Sequence, residues 1–247
     1  MITYADADRL MDRSLDLRAV QNLMGKYAFS IMTCKESEIW ASFWSQERED
    51  VALGSNEGWY RGPEAIQSYY EAVAALTAKQ SKTIQAVFPE QLENLSDEEL
   101  FGVGRMDLRP LVNPIVEIAE DGRTAKGFWN VMGLDNEITE KGPLSTWRWG
   151  YLGADFVLEG DEWKIWHLLT VDDISAPMGS DWVAPKQYPV LPAFAGLKDA
   201  ELPKPTEHCA LFQTYSKDRP FTPPIPAPEP YETFEETFSY ADWKGGD

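Results

Sequence analysis

Apolar residues recur at helical spacing in the first third of the chain and at strand spacing in the middle. From Asp16 onward, Leu17, Val20, Met24, Tyr27 and Ile31 stand three and four positions apart, the stripe of one helix face. Asp12 or Ser14 is placed to cap that helix. A short second helix fits SEIWASFW, with Trp40, Phe43 and Trp44 on its inner side. In GWYRGPEAIQSYYEAVAAL a turn leads to a proline at a first helical position, then to a third helix carrying Ile66, Tyr69, Tyr70, Val73 and Leu76. Residues 80–105 have no dominant period; SDEEL reads as a capped helical start in a lid or contact surface.

From Asp107 to Asp172 the pattern becomes that of strands. NPIVEIAEDGRTAKGFWNVMGL is two extended runs around a D-G turn, and STWRWGYLGADFVLEGDEWKIWHLLTV repeats the arrangement around EGDE. Turns this short make both pairs antiparallel. Helices followed by an antiparallel sheet predict an α+β layout in which the sheet curls around a helix face. Beyond about residue 174 the composition shifts: twelve of the 17 prolines lie between Pro177 and Pro230, a density neither helix nor sheet carries. The same stretch holds Trp182, Tyr188, Phe194, Phe212, Tyr215, Phe221, Tyr231, Phe234, Phe238, Tyr240 and Trp243, for which a flexible linker has no use. The expectation is a domain over residues 1–174 and an extended proline-rich arm over 175–247. That arm is laid on its own domain or on a partner subunit, a disordered tail being the plain alternative.

At 247 residues and 43% hydrophobic, the chain is long enough for one sizeable domain or two small ones. The net charge of −19 repels nucleic acid and anionic membrane surfaces, so neither is expected as a partner. Cys34 and Cys209 fit a reduced compartment better than a disulfide framework, with one long-range bridge left open. No stretch approaches 18 apolar residues, and the opening MITYADADRLMDRSLDL lacks the basic-then-apolar order of a secretion signal. A cytoplasmic location is therefore expected.

For chemistry, His167 stands out. In WKIWHLLT, if Lys164 faces solvent, the two-residue period puts Trp163, Ile165, His167 and Leu169 on the opposite side. An imidazole among such residues suits a base near neutral pH, and equally suits a core histidine bonded to a buried partner. Tyr27, inside the apolar stripe of the first helix, and Tyr151, on the sheet, are candidates to reach the same space. Asp155 stands between apolar neighbours, either as a base or to hold His167 in one tautomer; a salt bridge to Arg148 is the competing reading. Asp50 follows the second helix, near where a pocket mouth would lie. His167 and His208 are too far apart in sequence for a zinc or iron site, and no dinucleotide fingerprint, phosphate loop, C-x-x-C or G-x-S-x-G occurs. No metal or cofactor is therefore expected.

DLRAVQNLMGKYAF, GWYRGPEAI, EDGRTAKGFW and DFVLEGDEWKIWHL together resemble the SnoaL-like family of the nuclear transport factor 2-like superfamily, over about residues 12–174. The resemblance implies a cone-shaped, curved antiparallel sheet closed by N-terminal helices. It also implies a cofactor-independent lyase acting by acid/base chemistry on a phenolic or diaryl substrate, eliminating water or a small carbonyl fragment such as formaldehyde. A polyketide-type cyclase or isomerase and a non-catalytic assembly subunit are its alternatives. Where several dehydratases and cyclases of that superfamily place a histidine, this chain reads RMDLRPLVNP, without one. His167, Tyr27, Tyr151 and Asp155 are then the catalytic candidates, and Trp44, Trp59, Arg109, Asn113 and Trp129 the substrate-binding ones. A homo-oligomer, most simply a dimer, is expected from the apolar load of the arm.

Overall fold

The computed structural model describes residues 4–139, 142–181, 202–208, 215–218, 220 and 225–244. Of the expected arm, residues 182–201, 209–214, 219, 221–224 and 245–247, with Trp182, Tyr188, Phe194, Cys209, Phe212 and Phe221, lie outside the described residues.

Helix α1 runs from Tyr4 to Met32, three turns earlier than the apolar stripe requires. Neither proline nor glycine occurs between Tyr4 and Asp16, and these early turns are tied down by charge: Arg13 bonds Glu120 and lies 3.5 Å from Glu117, and Asp16 accepts from Trp163 Nε1 at 2.9 Å. Val20, Met24 and Tyr27 form its buried stripe. Helix α2 (Glu36–Phe43) buries Ile39 and Phe43. Helix α3 spans Pro63–Val87; Gly62 enters it with φ of +86° and Pro63 occupies the first turn. It continues far into the segment that had no dominant period, because Thr77, Gln80, Ser81 and Ile84 keep its inner stripe going. Two single turns follow, α4 (Pro89–Leu92) and α5 (Asp97–Leu100). Ser96 and Glu99 close a reciprocal capping box on α5, as SDEEL suggested.

The strands are β1 (Ala52–Ser55), β2 (Gly58–Arg61), β3 (Met106–Leu108), β4 (Leu111–Ile118), β5 (Thr124–Thr139), β6 (Gly142–Glu159), β7 (Glu162–Pro177) and β8 (Glu207–His208). The two expected hairpins, β4–β5 and β6–β7, are antiparallel, and β5 and β6 pair along their length. The order is β3-β5-β6-β7-β1-β2-β8, with β4 also on β5.

This sheet corrects the expected cone-shaped antiparallel sheet. It is mixed, because β1 runs parallel to β7, with Ala52 beside His167 and Gly54 beside Leu169. It is also open: β3 and β4 line one edge, β8 the other, and among the described residues no pairing joins them. A closed sheet removes its edges by joining first strand to last. Here helices α1–α3 pack across one face instead, as the buried stripes of α1 and α3 meet Val131, Leu152, Ala154 and Leu168. The C-terminal segment covers part of the other face, where Ile225, Tyr240 and Ala241 pack on Ala52, Trp59, Phe128, Tyr151, Leu169 and Val171. The ring of Tyr240 lies where Gly153 has no side chain; a Cβ there would sit 2.3 Å from it. Among the described residues, no helix is long and apolar enough to cross a membrane.

Candidate active site

Between the helices and the inner sheet face lies a depression holding about 680 Å³ of atom-free space, open mouth included. Its cavity volume is about 70 Å³, several times the roughly 10–15 Å³ that one water needs. Its walls are apolar (Ile31, Leu53, Val73, Leu111, Val131 and Leu152), and three tyrosines, Tyr27, Tyr69 and Tyr70, reach it from α1 and α3. The Tyr27 and Tyr70 hydroxyls lie 3.1 Å apart. Burial pushes all three phenols above the usual tyrosine range, so they remain protonated and serve as donors.

Opposite the tyrosines, Glu36, Arg105, Asp107 and Arg109 also line the depression. Arg109 Nε donates to Asp107 Oδ1 at 2.7 Å. Arg105 lies 3.5 Å from Asp107, donates to Glu36 Oε1 at 2.5 Å and to Thr77 Oγ1 at 2.7 Å. Behind them Arg148 pairs with Asp135 and, at 3.1 Å, with Asp172. Burial alone would raise the Asp107 carboxyl, but the guanidiniums of Arg109, Arg148 and Arg105 outweigh it and hold the group below its ordinary value. Asp135 goes the other way: burial pushes it up to about 6, Arg148 opposes, and the neighbouring Asp107 adds to the rise.

Of the expected site residues, Tyr27 and Arg109 line this depression. Trp44 and Trp129 are buried in the core on the same sheet face, Trp129 edge-on to Phe156. Asn113 is exposed at the irregularity in β4, with φ of +52°, a conformation asparagine tolerates. His167, Asp155, Tyr151 and Trp59 lie elsewhere. The two-residue period in β7 breaks at Trp166, where the register shifts between Asp155/His167 and Phe156/Ile165. Such a bulge turns every later side chain to the opposite face. Ile165 and Leu168 thus share the helix-side core, whereas His167 meets the C-terminal segment. Tyr151 stacks near Phe128 beneath that segment, and Trp59 lies there too, with Arg61 over its ring.

There His167 Nδ1 is 2.9 Å from Asp155 Oδ2, and Nε2–H donates to the Asp50 carbonyl at 3.1 Å, so both ring nitrogens are engaged within the fold. Asp155, fully buried, also accepts from Lys126 Nζ at 2.6 Å, Ser239 Oγ at 3.0 Å and the Tyr240 backbone N–H at 2.9 Å. Arg148, the competing partner for Asp155, is spent on Asp135 and Asp172 instead. The Lys126 ammonium is ringed by Tyr231, Phe234, Phe238 and Tyr240 at 4.3–5.8 Å. Burial lowers its pKa, and Asp155 offsets part of that. Asp50 accepts from Arg48 and from Trp166 Nε1.

Sequence reasoning passed over Glu36, Arg105 and Asp135, and took Tyr69 and Tyr70 only as core. A usable signal was present in the alternation RMDLR, which puts Arg105, Asp107 and Arg109 on one side of a short strand. Among the described residues no three His, Cys, Asp or Glu side chains gather as a metal site.

No protein-family model matches the sequence, and no curated protein matches it. Among solved structures, the chain is similar in fold to a type 2 hexachlorocyclohexane dehydrochlorinase, at 17% identity and a TM-score of 0.48 over 72% of this chain and 99% of that one. The type 3 enzyme from Novosphingobium barchaimii LL02 gives 17% identity and 0.47, over 71% and 98%. A candidate scytalone dehydratase from Novosphingobium aromaticivorans DSM 12444 gives 13% and 0.47, over 73% and 99%.

Proposed function

We propose that the chain is a cofactor-independent lyase of the SnoaL-like kind that acts on a small phenolic substrate in the depression between helices and sheet. The observation that supports this is the convergence, on apolar walls, of three protonated tyrosines with the Arg109–Asp107 pair. Apolar pockets with a few aimed polar groups are the usual form of small-molecule sites. The apolar walls take the ring. Arg109 holds a developing phenolate or enolate oxygen, charge stabilisation of the kind that dominates such reactions. The ionised Asp107 carboxylate takes the proton from the side-chain carbon beside the one that bears the hydroxyl, and those electrons form a double bond conjugated with the ring. As the C–O bond breaks, the Tyr27 or Tyr70 hydroxyl protonates the departing oxygen, and water leaves. The enclosed part favours a single ring, with any second group in the open mouth. In this reading His167, Asp155 and Lys126 hold the C-terminal segment and take no part in the bond changes.

The test is turnover of single-ring phenols bearing a 1-hydroxyethyl side chain, which would lose water to a vinyl phenol, by the full chain without added cofactor. Arg109→Met should lower kcat/KM by roughly 10²- to 10³-fold, and it should also lower Tm, because the buried Asp107 is left with Arg105 and Arg148 alone. Near-normal turnover by folded R109M would sink the assignment.

A further inference from the structure

Asp107 and Asp135 stand directly opposite each other across the antiparallel β3–β5 pair, the position at which side chains of neighbouring strands come closest, with Cβ atoms about 4.5–5.5 Å apart. Both are buried, at 5% and 2% exposure. Neither Asp135 oxygen has a conventional hydrogen-bond donor, although Arg148 forms an ion pair with one of them. Two ionised carboxylates cannot bond to each other, whereas an acid and a carboxylate can. The charges around the pair are Arg109 beside it in sequence, Arg105 and Glu36 from the α2 side, Arg148 from β6 and Asp172 from β7. Tyr69 of α3 adds only a neutral phenol. Among the described residues, four carboxyls thus meet three guanidiniums, so one proton brings this buried group to neutrality. An anion seated on Arg109 would add a further negative charge at short range, where low dielectric makes it count. Arg109 is already shared among Asp107, Asp135 and Asp172. Glu36, which burial also raises and whose Oε2 has no hydrogen-bond donor, is the competing acceptor, but it bonds Arg105, whereas Asp107 bonds Arg109 itself, so the carboxyl pair feels that charge most directly.

We propose that Asp107 and Asp135 hold one proton between them, and that the site takes up this proton from solvent when an anionic single-ring ligand settles on Arg109. The second half rests on the cavity reading above; the first does not. Asp135 is here a positioning residue, acting on the cavity through Asp107. No covalent bond changes: one proton moves from bulk water to the carboxyl pair as the anion binds.

Infrared spectroscopy of the full chain, with benzoate as the probe, tests both halves. Without ligand, the carbonyl stretch of one protonated carboxylic acid should be present at pH 5 and fade as pH rises through about 6. That stretch should be missing in Asp135→Asn. Its absence at pH 5 in the wild type, or its persistence in D135N, overturns the shared proton. Should D135N fail to fold, carboxyl-labelled aspartate NMR of the wild type decides the same point: one buried aspartate must titrate near 6. With benzoate at pH 7.5 the band should return, and benzoate affinity should fall by up to about tenfold per pH unit above the free pair's transition. Benzoate that binds with no band change overturns the coupling. Benzoate that binds at no pH, while the band titrates as described, sinks the cavity reading and leaves the shared proton standing.

Discussion

The two faces of the sheet both bury charge, but they do so in opposite ways. On the outer face Asp155 is fully buried, accepts hydrogen bonds from Lys126, Ser239 and the Tyr240 backbone, and meets His167 Nδ1 at 2.9 Å. On the inner face the arginine–carboxyl cluster borders open volume and keeps an aspartate with neither oxygen bonded to a conventional donor. A satisfied, filled cluster fixes a segment in place; an unsatisfied one beside a cavity can exchange protons and accept a ligand. Burial of a charged residue thus says little about function until its partners are counted.

The largest expected effect comes from breaking the filled face. Asp155→Ala removes the acceptor for Lys126, Ser239 and the Tyr240 N–H and leaves the Lys126 charge buried, so it should cost roughly 3–5 kcal/mol in denaturant unfolding. Replacing the pair together, as K126M with D155L, should cost far less, because no charge is left stranded. If the double variant is as unstable as D155A, the ion pair is not what holds the segment.

His167→Gln is the sharper probe of the contrast. It weakens the contacts to Asp155 and the Asp50 carbonyl, at an expected cost of about 1–2 kcal/mol, with benzoate affinity unchanged and residues 225–244 more readily cleaved by protease. A stable H167Q protein whose turnover falls a hundredfold would show that the outer face joins in the chemistry after all.

The smallest effect is a pH signature. An acid whose folded pKa is raised contributes stability that is full below its unfolded value and lost as pH rises through its folded one, here from about 3.8 to about 6. Asp107, shifted downward, contributes in the opposite sense and only at pH below its ordinary range. Between pH 5 and 8 the Asp135 contribution therefore stands alone within the pair. The Tm of D135N relative to wild type should rise by about 2–4 °C over that interval. A gap that stays constant would place Asp135 outside the titrating group.

The main elements were legible because their signals are local. Asp121–Gly122 marks the β4–β5 turn, the stripe through Val20, Met24 and Tyr27 marks α1, and Ser96 with Glu99 marks α5. What escaped depends on residues far apart in the chain. The break at Trp166 is a property of how β7 aligns with β6, invisible in WKIWHLLT itself, and it sends His167 to the other face. The parallel β1–β7 pair has no turn to announce it, so an antiparallel cone was the natural expectation. Asp135 looked like one of 41 acidic residues until β3 set Asp107 opposite it.

That parallel pair also orders events while the chain is being made. Strand β1 emerges early, yet its neighbour β7 follows only after more than a hundred further residues; the Asp50 carbonyl meets His167 117 positions on. The β5–β6–β7 meander can form by itself, since its contacts are close in sequence. The β1–β2 hairpin has local contacts too, but two short strands alone are marginal until β7 joins them, and Trp59 must wait longer still, for Tyr240 and Ala241 to cover its side of the sheet. On the ribosome the β1 side of the sheet is therefore completed only by Tyr240 and Ala241, which emerge long after it. A nascent chain stalled before residue 240 should therefore hold chaperones on the N-terminal third while its central hairpins are already protected from exchange.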